Sequence, residues 1–335
     1  MTLSAAALPS PLMQSSATPP PLQTRVTQLL GLRYPVVQAG MSWASSSAPL
    51  AAAVSAAGGL GVIAAGPMSP DDLRAAIRTV RACTDAPFAV NVPLYNRRAA
   101  DFLDVVIGER VSALIASQGG PQGHLERVRA AGIRWLHVCS SPRHAEKAAQ
   151  AGVDAIIAVG VEAGGHPPPD EVGTLVVVRA VCRAVDLPVI AGGGVADGAG
   201  MAALFCLGAE AVQFGTRFLL TPEATLHADY KAAAIAAGIA DTTLVGRGRL
   251  PVRMLHNRFT AEYAAAEGAG TDAQALKALA DSRSLKLAAL DGDVDWGKVE
   301  VGQSVGLIDT LVPAGELVFQ LMHEFNAARR RLAEF

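Results

Sequence analysis

Four stretches of the chain combine residue types that can do chemistry. Glu162-Ala163-Gly164-Gly165-His166 sets an imidazole behind a Gly-Gly hinge. With an ordinary pKa near 6.5, that group suits proton transfer at neutral pH. His124, His137, His144, His227, His256 and His323 lack this context and read as structural or surface residues. Ala191-Gly192-Gly193-Gly194-Val195-Ala196-Asp197-Gly198 and Gly215-Thr216-Arg217-Phe218 are glycine-bearing turns. Glycine there lets backbone N–H groups approach a phosphate, and the start of a following helix adds its dipole. Gln38-Ala39-Gly40-Met41-Ser42-Trp43, with Asn91-Val92-Pro93, is uncharged and offers apolar faces with a few polar edges. That composition suits a flat conjugated ring.

These stretches need elements that bring them together. Short apolar runs at 36–39, 61–64, 88–92, 113–116, 135–139, 155–159, 188–191 and 211–214 read as strands. Helical patterns such as 49–57, 70–82, 125–131, 142–151 and 198–207 lie between them, several ending in Ala-Gly, a left-handed cap. Strict β/α alternation implies an α/β fold, a TIM (β/α)8 barrel, whose ligands sit at the carboxyl ends of the strands. Each chemical stretch above falls at such an end. After Thr221 the pattern changes to Ala-rich helical stretches at 224–240, 260–266 and 273–289. The expected organisation is a disordered leader (1–23), a barrel (24–221), a helical subdomain near the barrel mouth (222–306) and a closing C-terminal helix (307–335).

Composition narrows the function classes. Of 335 residues, 51% are hydrophobic and 17% charged, with a net charge of -2, which excludes a disordered chain and a basic nucleic-acid reader. The four cysteines are scattered and read as reduced thiols, with no metal site. The uncharged run 34–70 is broken by prolines, serines and glycines and reads as strand, helix, strand rather than a membrane span. The first fifteen residues lack the basic start of a secretory signal, so the expected location is cytoplasmic.

Taken in order, Gln38–Met41, Phe88–Asn91, Glu162–His166, Ala191–Gly198 and Leu207–Phe218 resemble the successive motifs of the nitronate monooxygenase (2-nitropropane dioxygenase) family. That superfamily also holds flavin-dependent enoyl-acyl carrier protein reductase II and NADH:quinone reductases. The stretch Val301-Gly302-Gln303-Ser304-Val305-Gly306-Leu307 resembles the reductase branch equally well. The resemblance implies a barrel holding FMN noncovalently. Gly193, Gly194, Gly215 and Thr216 would hold its phosphate, Gly40, Met41, Ser42, Asn91 and Gly164 would line the flavin, and His166 matches the active-site histidine. Two positions depart from the pattern: Val138 stands where some relatives carry a flavin-contacting lysine, and Pro167–Pro169 replace a glycine-containing continuation.

The leading expectation is oxidation of nitronates or nitroalkanes with O2, His166 serving as base. The alternative is NAD(P)H-dependent reduction of a quinone or enoyl thioester on the same flavin. A non-redox barrel for a phosphorylated metabolite would want more carboxylates or lysines at strand ends, and an inosine monophosphate dehydrogenase-like enzyme would need a cysteine in the strand-six loop. Expected partners are therefore a small-molecule substrate, neither nucleic acid nor membrane, and a second copy of the chain as a possible homodimer.

Overall fold

The computed structural model describes residues 18–335. Eight parallel strands form the central sheet: β1 (Val36–Gln38), β2 (Gly61–Ala64), β3 (Phe88–Pro93), β4 (Ala113–Ser117), β5 (Arg134–Cys139), β6 (Ala155–Val159), β7 (Val189–Gly192) and β8 (Ala211–Phe214). They run in the order β1-β8-β7-β6-β5-β4-β3-β2. The ring closes through a single parallel bridge between Val37 and Leu60. There Leu60 N–H donates to Val36 O at 2.9 Å and Gln38 N–H to Leu60 O at 3.0 Å. The Gln38 side chain adds a stitch, its Oε1 accepting from Val62 N–H at 2.8 Å. This is a TIM barrel, and every strand end lies within one residue of its expected position.

Helices alternate with the strands because each apolar stripe needs a sheet to cover. They are α1 (Arg25–Leu30), α2 (Ala48–Ala56), α3 (Pro70–Cys83), α4 (Ala99–Gly108), α5 (Leu125–Ala130), α6 (Pro142–Ala151), α7 (Thr174–Ala184) and α8 (Gly198–Cys206). Serine caps start α3 and α6, and Gly152 ends α6 at φ 95°. The barrel interior is filled by small and aliphatic residues, among them Val37, Val62, Ala89, Ala113, Leu136, Ile157 and Ile190. Val26 and Leu30 of α1 join that cluster and plug the end opposite the site. Burying each of the valine, leucine and isoleucine side chains contributes about 1.5–3 kcal/mol.

The plug is preceded by packed chain. Pro19 is buried and its carbonyl accepts from Tyr34 O–H at 2.6 Å, while Leu22 N–H donates to Arg33 O at 3.2 Å. Residues 18–23 therefore lie on the barrel, and the rest of the expected leader, 1–17, falls outside the described residues.

Beyond β8 come α9 (Thr216–Leu219) and α10 (Ala228–Ile235), then an antiparallel hairpin of β9 (Thr242–Val245) and β10 (Val252–Leu255). Next follow α11 (Arg258–Gly268), α12 (Ala273–Ser282), α13 (Leu285–Ala289) and α14 (Ala314–Leu332). The helical reading of 222–306 missed the hairpin. Thr242, Thr243 and Val245 are β-branched, and Gly246 turns the chain at φ 76°. The final helix, α14, lies against α8 and α2, and its Glu324 accepts the Gly198 N–H at 2.8 Å. Among the described residues, no helix is long and apolar enough to cross a membrane.

Candidate active site

A cavity of about 1040 Å³ opens at the carboxyl ends of the strands. His166, Gly40, Met41, Ser42, Asn91, Gly164, Gly193, Gly194, Gly215 and Thr216 all line it. Residues spread over 177 positions of sequence thus meet in one concavity.

One side is made of backbone. Gly193 and Gly194 follow β7 with φ of 99° and 65°, a region that penalises side chains. A Cβ on Gly193 would lie 2.8 Å from Thr174 Oγ1, and one on Gly194 would lie 3.1 Å from Glu162 Cβ. Asp197 then caps α8 by accepting Gly200 N–H at 2.7 Å. Glu162, beside these turns, is already engaged: its carboxylate accepts from Thr174 N–H at 2.9 and 3.0 Å and from the Thr174 hydroxyl at 2.6 Å. It staples the loop after β6 to the start of α7, where the helix dipole favours an anion. Gly215 and Thr216 begin α9, and Thr216 Oγ1 accepts Gly302 N–H at 2.8 Å.

The floor is largely uncharged. Ile115, Val138 and Val159 project into it beside Asn91 and Gln213. Asn91 donates from Nδ2 to Ile115 O at 3.1 Å and packs so tightly on Gly40 that a Cβ there would lie 2.5 Å from Asn91 Cβ. The following Met41–Ser46 turn is tied by its serines: Ser45 Oγ accepts Met41 N–H at 2.8 Å, and Ser46 Oγ donates to Ser42 O at 2.6 Å. These bonds hold Ser42 at φ 42°, an uncommon conformation for a non-glycine residue. Gln213 Oε1 is buried without a hydrogen-bond partner among the described residues. An orphaned acceptor costs free energy unless something supplies a donor.

His166 stands in the loop after β6, next to the β7 turn, and that loop is no free hinge. Gly165, at φ 71°, exchanges two backbone hydrogen bonds with Arg253 of β10, at 3.0 and 2.7 Å. The Arg253 guanidinium in turn donates to Val161 O at 3.0 Å and to Thr242 Oγ1 at 3.1 Å. The hairpin thus fixes the loop that carries the imidazole. Pro167 and Pro168 are buried in the same wall. His166 faces cavity solvent but is surrounded by protein, and that burial, helped by the positive charge of Lys298, holds its pKa below the ordinary histidine value. A neutral imidazole is a competent base.

Sequence reading missed Lys298, Glu300, Tyr230, Arg249 and Gln213, which also line the cavity. Burial lowers the Lys298 pKa, while burial pushes the Glu300 carboxyl up to about 7 against the opposing influence of Lys298. Only the recognised motif around Val301–Leu307 hinted that this segment approaches the site. His137 lines the cavity's edge, yet its Nδ1 accepts from Trp135 Nε1–H at 3.2 Å, a structural arrangement. Among the described residues, no cluster of acidic, His or Cys side chains could hold a metal ion.

The donors and shape suit FMN. Two glycine turns at the cavity would take the phosphate on their backbone, an uncharged floor would take the ring system, and the orphaned Gln213 acceptor would take a ring N–H.

Comparison with known proteins agrees with this geometry. The profile of the nitronate monooxygenase family matches residues 23–105 and 95–324. A nitronate monooxygenase of Pseudomonas aeruginosa is 35% identical, the match covering 90% of this chain and 99% of that protein. The (3aS,4S,5R,7aS)-5-hydroxy-7a-methyl-1-oxo-octahydro-1H-indene-4-carboxyl-CoA dehydrogenase of Mycobacterium tuberculosis is 34% identical, covering 89% and 94% respectively. The solved structure of FabK from Thermotoga maritima superposes with a TM-score of 0.88 at 42% identity, covering 93% of this chain and 99% of that one.

Proposed function

Because the chain belongs to the nitronate monooxygenase family and is an oxidoreductase, we propose that it binds FMN and oxidises alkyl nitronates or nitroalkanes with O2, His166 acting as the base toward neutral substrates. The observation that carries this reading is an imidazole, its pKa held below the ordinary histidine value, fixed in the same cavity as an uncharged ring site and two glycine turns. Gly193, Gly194, Gly215 and Thr216 would hold the phosphate. Gly40, Met41, Ser42, Asn91 and Gly164 would line the ring. When bound, the flavin supplies the electron chemistry. The chain contributes a base for the carbon-bound proton.

A second reading is reductive, with NAD(P)H delivering electrons for a quinone or enoyl thioester. What favours it is charge: Lys147, Arg249 and Lys298 line a cavity larger than a short nitronate requires, and cations suit the phosphates of a dinucleotide or a coenzyme A thioester. The M. tuberculosis relative is named for a CoA thioester substrate.

One experiment separates the two readings. The purified protein is expected to show, or to take up, a flavin absorption band. Anaerobic addition of a nitronate should then bleach that band faster than NADH does. Faster bleaching by NADH would favour the reductive reading, and a protein that takes up no flavin would refute both.

A further inference from the structure

Glu300 is a carboxyl in this cavity that the proposed chemistry leaves idle. It lies on an extended segment that four tertiary hydrogen bonds pin to the hairpin, to α10 and to the loops after β6 and β8. Val299 O accepts Leu255 N–H at 2.9 Å, Glu300 O accepts Tyr230 O–H at 2.9 Å, Gly302 N–H donates to Thr216 Oγ1 at 2.8 Å, and Gln303 N–H donates to Glu162 O at 2.9 Å. A segment fixed at both ends and in the middle holds its side chains in place.

That clamp aims the Glu300 carboxyl at the loop bearing the imidazole. Its Oε2 comes within 3.2 Å of the point where a Cβ on Gly165 would stand, one residue before His166. The carboxyl oxygens accept no hydrogen bond from the described residues, although the backbone carbonyl of the same residue does. The ionisable groups around the same space are Lys298 on its own segment, His166 and Glu162 from the loop after β6, Tyr230 from α10, and Arg249 and Arg253 from the hairpin. Glu162 is consumed by Thr174, and Arg253 by Val161 and Thr242. Lys298 acts on both the carboxyl and the imidazole by its charge, yet neither of them forms an ion pair or a side-chain hydrogen bond with a described residue.

Removing a proton from carbon beside a nitro or thioester group pushes the electrons of the C–H bond onto an oxygen. The base receives the proton, and the oxygen gains negative charge. A neutral carboxylic acid is a strong donor for such an oxygen, whereas a carboxylate would repel it. We propose that Glu300 is a catalytic residue acting in its neutral form: its O–H donates a hydrogen bond to the oxygen that gains charge while His166 takes the proton. The C–H bond breaks, an N–H bond forms on His166, and Glu300 keeps its own proton throughout. Burial favours the protonated carboxyl over the ionised one in this wall, in keeping with that role.

The proposal rests on the carbon-acid reading above, and the test separates the two. Flavin-loaded protein is incubated without oxygen in deuterated buffer with nitroethane or butyryl-CoA, and exchange of the α-hydrogens is followed by NMR. This step needs no net oxidation. Wild type should exchange with a rate that falls as the pH rises past neutrality. Glu300→Ala should slow exchange by about a hundredfold. Glu300→Gln keeps an N–H donor, so it should lose less and should also lose the alkaline fall. Wild-type rates in Glu300→Ala, or an unchanged alkaline fall in Glu300→Gln, would overturn the role of Glu300 alone. No exchange in flavin-loaded wild type would overturn the carbon-acid reading and Glu300's role with it. Flavin absorbance and melting temperature of each variant establish that the wall is intact.

Discussion

The two walls of the cavity are built from different materials. On the side of β7 and β8, the groups that face a ligand are backbone amides on glycine turns, which carry no ionisable charge and cannot titrate. On the side of β6 and the hairpin, they are His166, Lys298 and Glu300, whose ionisation depends on their surroundings. The first wall depends on close approach and fails when a side chain intrudes. The second depends on protonation and fails when pH changes. One wall is suited to holding a group that never leaves, the other to handling protons that come and go.

Breaking the amide wall should have the largest effect. In Gly194→Val, a branched side chain must adopt φ near 65° with its Cβ 3.1 Å from Glu162 Cβ. Flavin affinity, measured by fluorescence quenching, should fall by at least about a hundredfold, because the side chain displaces the backbone from the phosphate. Retention of flavin with wild-type affinity would place the phosphate elsewhere.

The proton wall should break differently. His166→Ala should leave flavin bound but cut turnover of neutral nitroalkanes by on the order of a hundredfold, sparing the preformed nitronate. The sign of its pH dependence follows from the lowered pKa: the imidazole stays neutral above that pKa and becomes protonated, and useless as a base, below it. The acid limb of kcat/KM for the neutral substrate should therefore lie below pH 6.5 and vanish in His166→Ala. Equal losses for neutral and anionic substrates would assign His166 to positioning instead.

The smallest effect sharpens the contrast by leaving both walls alone. Starting the chain at Gln23 removes Pro19 and Leu22, and with them the hydrogen bond to Tyr34 O–H. Stability should drop by about 1–2 kcal/mol, read as a lowered melting temperature, with flavin affinity unchanged. Starting at Thr18 should keep both.

How much of this was legible in the sequence depends on the range of the forces that set each part. The barrel strands are short apolar runs punctuated by glycine and proline, so local pattern located them to within a residue. The glycine turns were equally plain, since only glycine tolerates φ of 99° and 65° there without strain. The hairpin was harder: two strands of four residues each sit between Ala-rich helices, and its pairing with Gly165 joins positions 88 residues apart. Lys298 and Glu300 had no local signature. Their placement comes from hydrogen bonds to Leu255, Tyr230, Thr216 and Glu162, partners that no spacing rule connects.

The single bridge between Val37 and Leu60 has a mechanical consequence. Around the rest of the ring each strand is zipped to its neighbour over three to five paired positions, so β1 and β2 are joined by the thinnest stitching in the circle. Thermal breathing of the barrel should begin at this seam, with the amides of Leu60 and Val62 among the earliest of the strand amides to exchange with solvent. The seam runs beneath Gly40–Ser42, so a transient opening would tilt that lip of the cavity first. The turns after β7 and β8, anchored in strands zipped on both sides, would ride through it undisturbed.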